Sequence, residues 1–163
     1  MPRTRCTLTY KYDELPDSAK AAARNWYQKY ALEYEWWDYI YSDAAQVGLK
    51  ITSFNLDKLD LRGHLTMPIA DSISAILGTH GEACNTHRLA TQFRTDLHGL
   101  ARNSPDYRYL LDELTECYQT ALCEEYRRLL QAECDWLLAD AQIEDSIRMN
   151  EYEFTEKGGP HTW

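Results

Sequence analysis

The side chains best suited to chemistry are His80, Cys84 and His87, spaced i, i+4 and i+7. On an unbroken helix that spacing sets two imidazoles and a thiol on one face, three corners of a tetrahedral zinc site. Gly81 interrupts such a helix, and the other histidines with any claim as a fourth ligand, His64 and His98, are distant in sequence. A structural zinc site normally shows two recognisable ligand pairs, so no metal is expected. The trio also contains a Cys–His pair, and a cysteine at a helix start ionises readily to the nucleophilic thiolate. Catalysis further needs an orienting group and an oxyanion site, and neither has a local signature. Packing is the commoner role for Cys84. A small metal- or thiol-dependent enzyme centred on His80, Cys84 and His87 is the alternative function. The chain has no Gly-rich phosphate loop, no Gly-x-Ser-x-Gly and no His-Glu-x-x-His. No catalytic residue and no cofactor are expected.

Two other sets of side chains are suited to binding. Residues 106–156 hold 14 acids and 4 bases, whereas the rest of the chain holds 12 acids and 13 bases, so the net charge of −9 is regional. The pairs Asp112-Glu113, Glu124-Glu125 and Glu144-Asp145 are neighbours in sequence. Adjacent residues on a helix do not face each other, so these are not acid–base dyads. A solvated helix face is their ordinary meaning. The sharper one is a DNA mimic: acids spaced like phosphates that compete for a basic groove, with Glu113, Glu116, Glu124 and Glu125 as contacts. Opposite charge also steers encounter.

The second set is aromatic. Trp26, Tyr27, Tyr30, Tyr34, Trp36, Trp37, Tyr39 and Tyr41 place eight rings in sixteen residues. One helix stripe can bury Trp26, Tyr30, Trp37 and Ile40. That leaves Tyr34, Trp36 and Tyr39 for the surface, where Tyr and Trp are enriched at binding hot spots. Direct nucleic-acid binding is not expected, because it depends on neutralising phosphates with positive charge.

The elements that must position these groups are readable from periodicity. Cys6 to Tyr12 alternates as a strand. Pro16 and Asp17 open a helix carrying Ala19, Ala22, Ala23, Trp26 and Tyr30. Trp37, Ile40, Tyr41, Ala44 and Val47 mark a second helix, stopped at Gly48. Leu49–Leu56 and Leu59–Met67 form a hairpin without the Asn-Gly signature. A short helix follows Pro68, and Leu89, Phe93, Leu97 and Leu100 mark another. The longest periodic stretch runs from about Asp106 to Ala139, one unbroken helix packing through Leu111, Leu114, Tyr118 and Leu122. Ile143 and Ile147 suggest one more short helix, and Glu151–Thr155 an edge strand. The expected fold class is α+β: a small antiparallel sheet of about four strands covered by helices, with one long C-terminal helix. A single domain over 1–163 is expected, with a frayed tail at 157–163.

Five cysteines, an odd number without a Cys-x-x-Cys pair, indicate reduced thiols rather than a disulfide framework. Cys117 and Cys134 fall among Leu, Tyr and Trp, where a thiol packs as a small hydrophobe. No apolar run approaches the ~20 residues that span a bilayer. The N-terminus lacks the apolar block of a secretory signal. No membrane association is expected, and the bacterial cytoplasm is the expected location.

Several strings together resemble a family of small phage and prophage proteins often labelled antitoxins of a toxin–antitoxin stability system. They are Asp13-Glu14-Leu15, Tyr34-Glu35-Trp36-Trp37-Asp38 with Tyr41, Asp43, Ala44 and Gly48-Leu49, the turn His80-Gly81-Glu82, and Asn150 to Glu156. The resemblance covers most of the chain and carries no catalytic motif. It implies a mobile-element origin and a role in neutralising a host component. The expected function is therefore a non-enzymatic acidic inhibitor, either an antitoxin or an anti-defence protein such as an anti-CRISPR. Its expected partner is a host or mobile-element protein with a basic surface; a homodimer stays open as its assembly.

Overall fold

The computed structural model describes residues 1–161. The fold class is α+β, with four short strands in two antiparallel pairs rather than in one sheet. In chain order the elements are β1 (Tyr10–Lys11), α1 (Asp17–Gln28), α2 (Asp38–Gln46), β2 (Leu49–Asn55), β3 (Asp60–Leu65), α3 (Ile69–Thr79), α4 (Asn85–His98), α5 (Tyr107–Leu138), α6 (Asp140–Met149) and β4 (Glu153–Phe154). They gather into two compact units: Met1–Trp36 with the chain from Glu133 onward, and Trp37–Ala132. The boundary falls inside α5, which is continuous over 32 residues as its periodicity requires. No helix of the described residues is long and apolar enough to cross a membrane.

In the first unit, α1 starts after Pro16, whose missing N–H is not needed there. Ala19 and Ala23, one turn apart and fully buried, present a small-residue surface to the unit's core. Ile143 and Ile147 of α6 join them, with Tyr12, Leu15 and Phe154. Phe154 meets Tyr12 and Trp26 edge-on at 6.5 and 5.8 Å, a favoured geometry for aromatic pairs. β1 pairs with β4 through Tyr10–Phe154 and Lys11–Glu153. The partner strand is only two residues long, because Glu151 (φ +54°) turns the chain before it and Thr155 turns it after. Residues 6–9 of the expected first strand therefore stay outside the ladder.

The described part of the tail folds back: the His161 N–H donates to the Glu153 carbonyl and the Gly158 N–H to that of Thr155. Gly158 has φ +85°, and a Cβ there would collide with the Ala19 carbonyl, so only glycine allows this approach. Residues 162–163 of the expected frayed tail lie outside the described residues.

In the second unit, β2 and β3 form the expected hairpin, with a bulge between Ile51 and Ser53. The Asn55 side chain accepts from the Lys58 N–H in place of an Asn-Gly turn. α2 ends before Gly48, which takes φ +86° as a helix stop. α5 buries Tyr118, Leu122, Tyr126 and Leu130, spaced four residues apart, and Ile69, Ile73 and Ile76 of α3 and Ala44 of α2 are buried in the same unit. Tyr118 and Leu122 are buried as expected, while Leu111 and Leu114 are only half-buried. Phe93 of α4 packs edge-on against Tyr118 at 5.3 Å. Ser72 donates to the Val47 carbonyl at 2.5 Å and meets the Tyr118 hydroxyl at 2.6 Å, tying α2, α3 and α5 together in the core.

Candidate functional site

The common face that an unbroken helix would give His80, Cys84 and His87 does not form, because the helix stops before Gly81. α3 ends at Thr79, His80 is extended, and α4 starts at Asn85 after Gly81 and a turn. The break points His80 away from the α4 face and into a polar chain drawn from four helices. The Thr86 hydroxyl sits 2.6 Å from His80 Nδ1, and His80 Nε2 sits 3.2 Å from Asp43 Oδ1. Tyr126 donates to Asp43 Oδ2 at 2.7 Å. A carboxylate only accepts, so the His80 Nε2–H donates to Asp43. Burial, and then the Asp43 hydrogen bond, push the Tyr126 phenol far above its ordinary pKa.

Hydroxyl, imidazole and carboxylate in sequence are the parts of an acyl-transfer triad. Thr86 is only 4% exposed, however, and in this arrangement every member is satisfied by the next. The chain's evident work is to join α2, α3, α4 and α5 without leaving a buried polar group unpaired. Beside it lies a cavity of about 240 Å³ lined by Asp43, His80, Cys84, Thr86, Glu125 and Leu129 among others. His80 and Cys84 share this cavity, whereas His87 does not line it. Among the described residues, no group of three or more His, Cys, Asp and Glu is arranged to hold a metal.

All five cysteines are free. Cys84 and Cys117, expected to pack, are exposed. Cys117 is a third of a turn round α5 from the buried Tyr118; Cys123 instead faces the core, where burial pushes its thiol pKa up.

The acidic contacts separate into two kinds. Asp112, Glu113 and Glu116 are exposed within five residues of α5 and form no ion pair among the described residues; Tyr109 donates to Glu113 at 2.7 Å. Glu124 is neutralised: Arg127 donates to it through Nε at 3.0 Å and Nη2 at 2.6 Å, which holds its pKa below the usual carboxylate range. Glu125, expected on the surface, is 6% exposed. Its position follows Leu122 by three residues and so falls on the buried stripe; among the described residues it pairs with Arg128 at 3.5 Å. The regional surplus also divides between the units. Residues 106–132 carry six acids and three bases, and 133–156 carry eight acids and one base. In the latter group Asp140 and Glu144 pair with Arg24, and Glu144 and Asp145 with Arg148.

Of the aromatic contacts, Tyr34 and Tyr39 are exposed but Trp36 is buried, 6% accessible. No helix spans 29–37, where turns such as Trp36 N–H to Tyr34 O at 2.7 Å replace it, so a helical phase misplaces Trp36. Tyr30, expected in the core, is exposed at the edge of the Trp26 cluster, 5.4 Å from that ring.

Compared with protein-family models, curated proteins and solved structures, the chain matches none.

Proposed function

We propose that this protein works by binding. It presents the acidic, aromatic-edged face of α5 to a partner protein with a basic surface and inhibits that partner by covering it. The observation that carries this reading is the trio Asp112, Glu113 and Glu116: three exposed carboxylates within five residues, without ion pairs among the described residues, beside exposed Tyr109 and Leu110. Carboxylates that serve only to hold the fold are paired here, as Glu124 is with Arg127 and Asp145 with Arg148. Charge left open to solvent on one face contributes little to stability and much to encounter rate. The resemblance to phage and prophage proteins supports an antitoxin or an anti-defence inhibitor acting in the bacterial cytoplasm.

The test is capture of the partner from host cells on the tagged chain, identification by mass spectrometry, and measurement of association against salt. Association should slow as the Debye length contracts from about 10 Å at 0.1 M to about 3 Å at 1 M. A salt-independent rate contradicts the proposal. The rival, a thiol-dependent enzyme, draws support from His80 and Cys84 sharing a cavity. Cys84→Ala separates the two: inhibition survives it, thiol catalysis does not.

A further inference from the structure

The outer edge of β3 is only partly used. Leu65 and Gly63 turn backbone groups away from β2: the Leu65 N–H donates to Gln119 Oε1 at 3.0 Å, and the Gly63 carbonyl faces Cys123 Sγ at 3.9 Å. Backbone direction alternates along a strand, so the N–H and carbonyl of Leu61 lie on this same edge. The bulge sits on β2, between Ile51 and Ser53, and leaves the alternation along β3 intact. The Leu61 N–H and carbonyl and the Gly63 N–H have no partner on this side among the described residues. They border a cavity of about 440 Å³, which Gln119, Thr120, Cys123 and Glu124 of α5 also line.

Charge does not account for this slot. Asp60 pairs with Arg62 at 3.5 Å, and Glu124 with Arg127 at 2.6 Å. The groups left open are neutral donors and acceptors: the three backbone groups, the Gln119 N–H₂ and the Thr120 hydroxyl. That set matches the N–H and carbonyl of a peptide. The fit is already visible one step along the edge, where the Gln119 side-chain carbonyl takes the Leu65 N–H as a neighbouring strand would. An unpaired edge is a template for a further strand.

We propose that this slot receives a short extended segment of a partner protein, added to β3 as the third strand of its sheet. Main-chain hydrogen bonds to Leu61 and Gly63 hold the segment, so its backbone is recognised rather than its charge. The volume falls within the ~300–1,000 Å³ of pockets that bury a ligand. Glu116 precedes Gln119 and Thr120 by one helical turn, so the slot adjoins the acidic face of α5. The inference does not rest on docking at that face.

The probe is a blocked pentapeptide of alternating threonine and valine, with a counterpart N-methylated on its inner residues. Each is titrated into the whole protein by NMR, with amide hydrogen exchange as a second readout. The parent peptide should bind at millimolar concentration and slow exchange at Leu61 and Gly63, leaving Leu65 unchanged. N-methylation removes the donors and should weaken binding at least about fivefold, the net worth of one hydrogen bond. Thr120→Trp, at an exposed position of α5, fills the slot and should abolish binding while keeping the unfolding transition. Leu61→Pro removes an N–H that β2 does not use, as an edge strand tolerates, and the folded variant should bind more weakly by a similar factor. Asp112→Asn with Glu113→Gln should leave peptide binding unchanged; its loss there would assign recognition to charge and overturn the proposal. Sedimentation equilibrium tests the rival occupant: a dimer that Thr120→Trp dissolves assigns the slot to a second copy of this chain and overturns the assignment to a partner. The proposal is equally overturned if both peptides bind alike, if neither binds at millimolar concentration, or if Thr120→Trp binds as well as the parent.

Discussion

Ser72→Ala should destabilise the protein considerably more than Tyr118→Phe, although both remove one hydroxyl from the same contact. The Ser72 hydroxyl has one hydrogen and gives it to the Val47 carbonyl at 2.5 Å, so Tyr118, at 2.6 Å, must be the donor to Ser72. Tyr118→Phe deletes one hydrogen bond and leaves Ser72 still paired with Val47, a loss of about 1 kcal/mol. Ser72→Ala strands two buried groups, the Val47 carbonyl and the Tyr118 hydroxyl. Each orphan costs ~1–3 kcal/mol, for a total of roughly 2–6 kcal/mol. In the double variant the orphaned hydroxyl is gone, so its destabilisation should fall short of the summed singles by about 1–3 kcal/mol. The assay is urea unfolding followed by far-UV circular dichroism, with the four proteins compared at constant m-value. Equal effects of the two single variants, or strict additivity in the double, would refute the assigned hydrogen-bond direction and the dryness of this contact.

Three further outcomes are expected. Leu122→Ala, at a fully buried position of α5, should cost ~2–5 kcal/mol in the same assay, while Leu129→Ala, 40% exposed, should cost well under half as much. An aromatic-disulfide thiol reagent should label exposed Cys6, Cys84 and Cys117 first and buried Cys123 only with unfolding; simultaneous labelling of all five would contradict the burial order. Burial raises the phenol pKa values of Tyr12, Tyr41, Tyr118 and Tyr126 in the folded state. Folded values above unfolded ones mean this contribution is complete below about pH 10 and is lost as pH rises further. Absorbance at alkaline pH should thus show exposed tyrosines ionising gradually and the buried ones together with unfolding; one smooth titration of all twelve tyrosines would oppose it.

Periodicity made the helices legible because each buries a stripe set by local spacing. The α5 span, the α2 stop at Gly48 and the hairpin all follow from residues near each other in sequence. The single four-stranded sheet did not follow, since pairing is decided by which strands meet, and β4 offers β1 only two residues. The site was harder for the same reason. Asp43 and His80 are 37 residues apart and Asp43 and Tyr126 are 83 apart, so no local motif marks them. A signal existed: Asp43 and Glu125 are acids one residue from buried stripe positions, Ala44 and Tyr126, and an acid there must find a partner. Charge counting overreached at Glu124 and Glu125, because a regional tally that includes Arg127 and Arg128 does not say which acids they pair with.

The central claim is that an open acidic face of α5 engages a basic partner. Its most direct test is the association rate and affinity of the captured partner for Asp112→Lys/Glu113→Lys/Glu116→Lys, set against a control with the same charge change at Asp57, Asp71 and Glu82. Glu124 and Glu125 are left intact because their reversal would disturb internal ion pairs. The α5 variant should keep its unfolding transition and lose most of its binding together with the salt dependence, while the control keeps both. Equal loss in the two variants, or binding undiminished in the α5 variant, would contradict the claim.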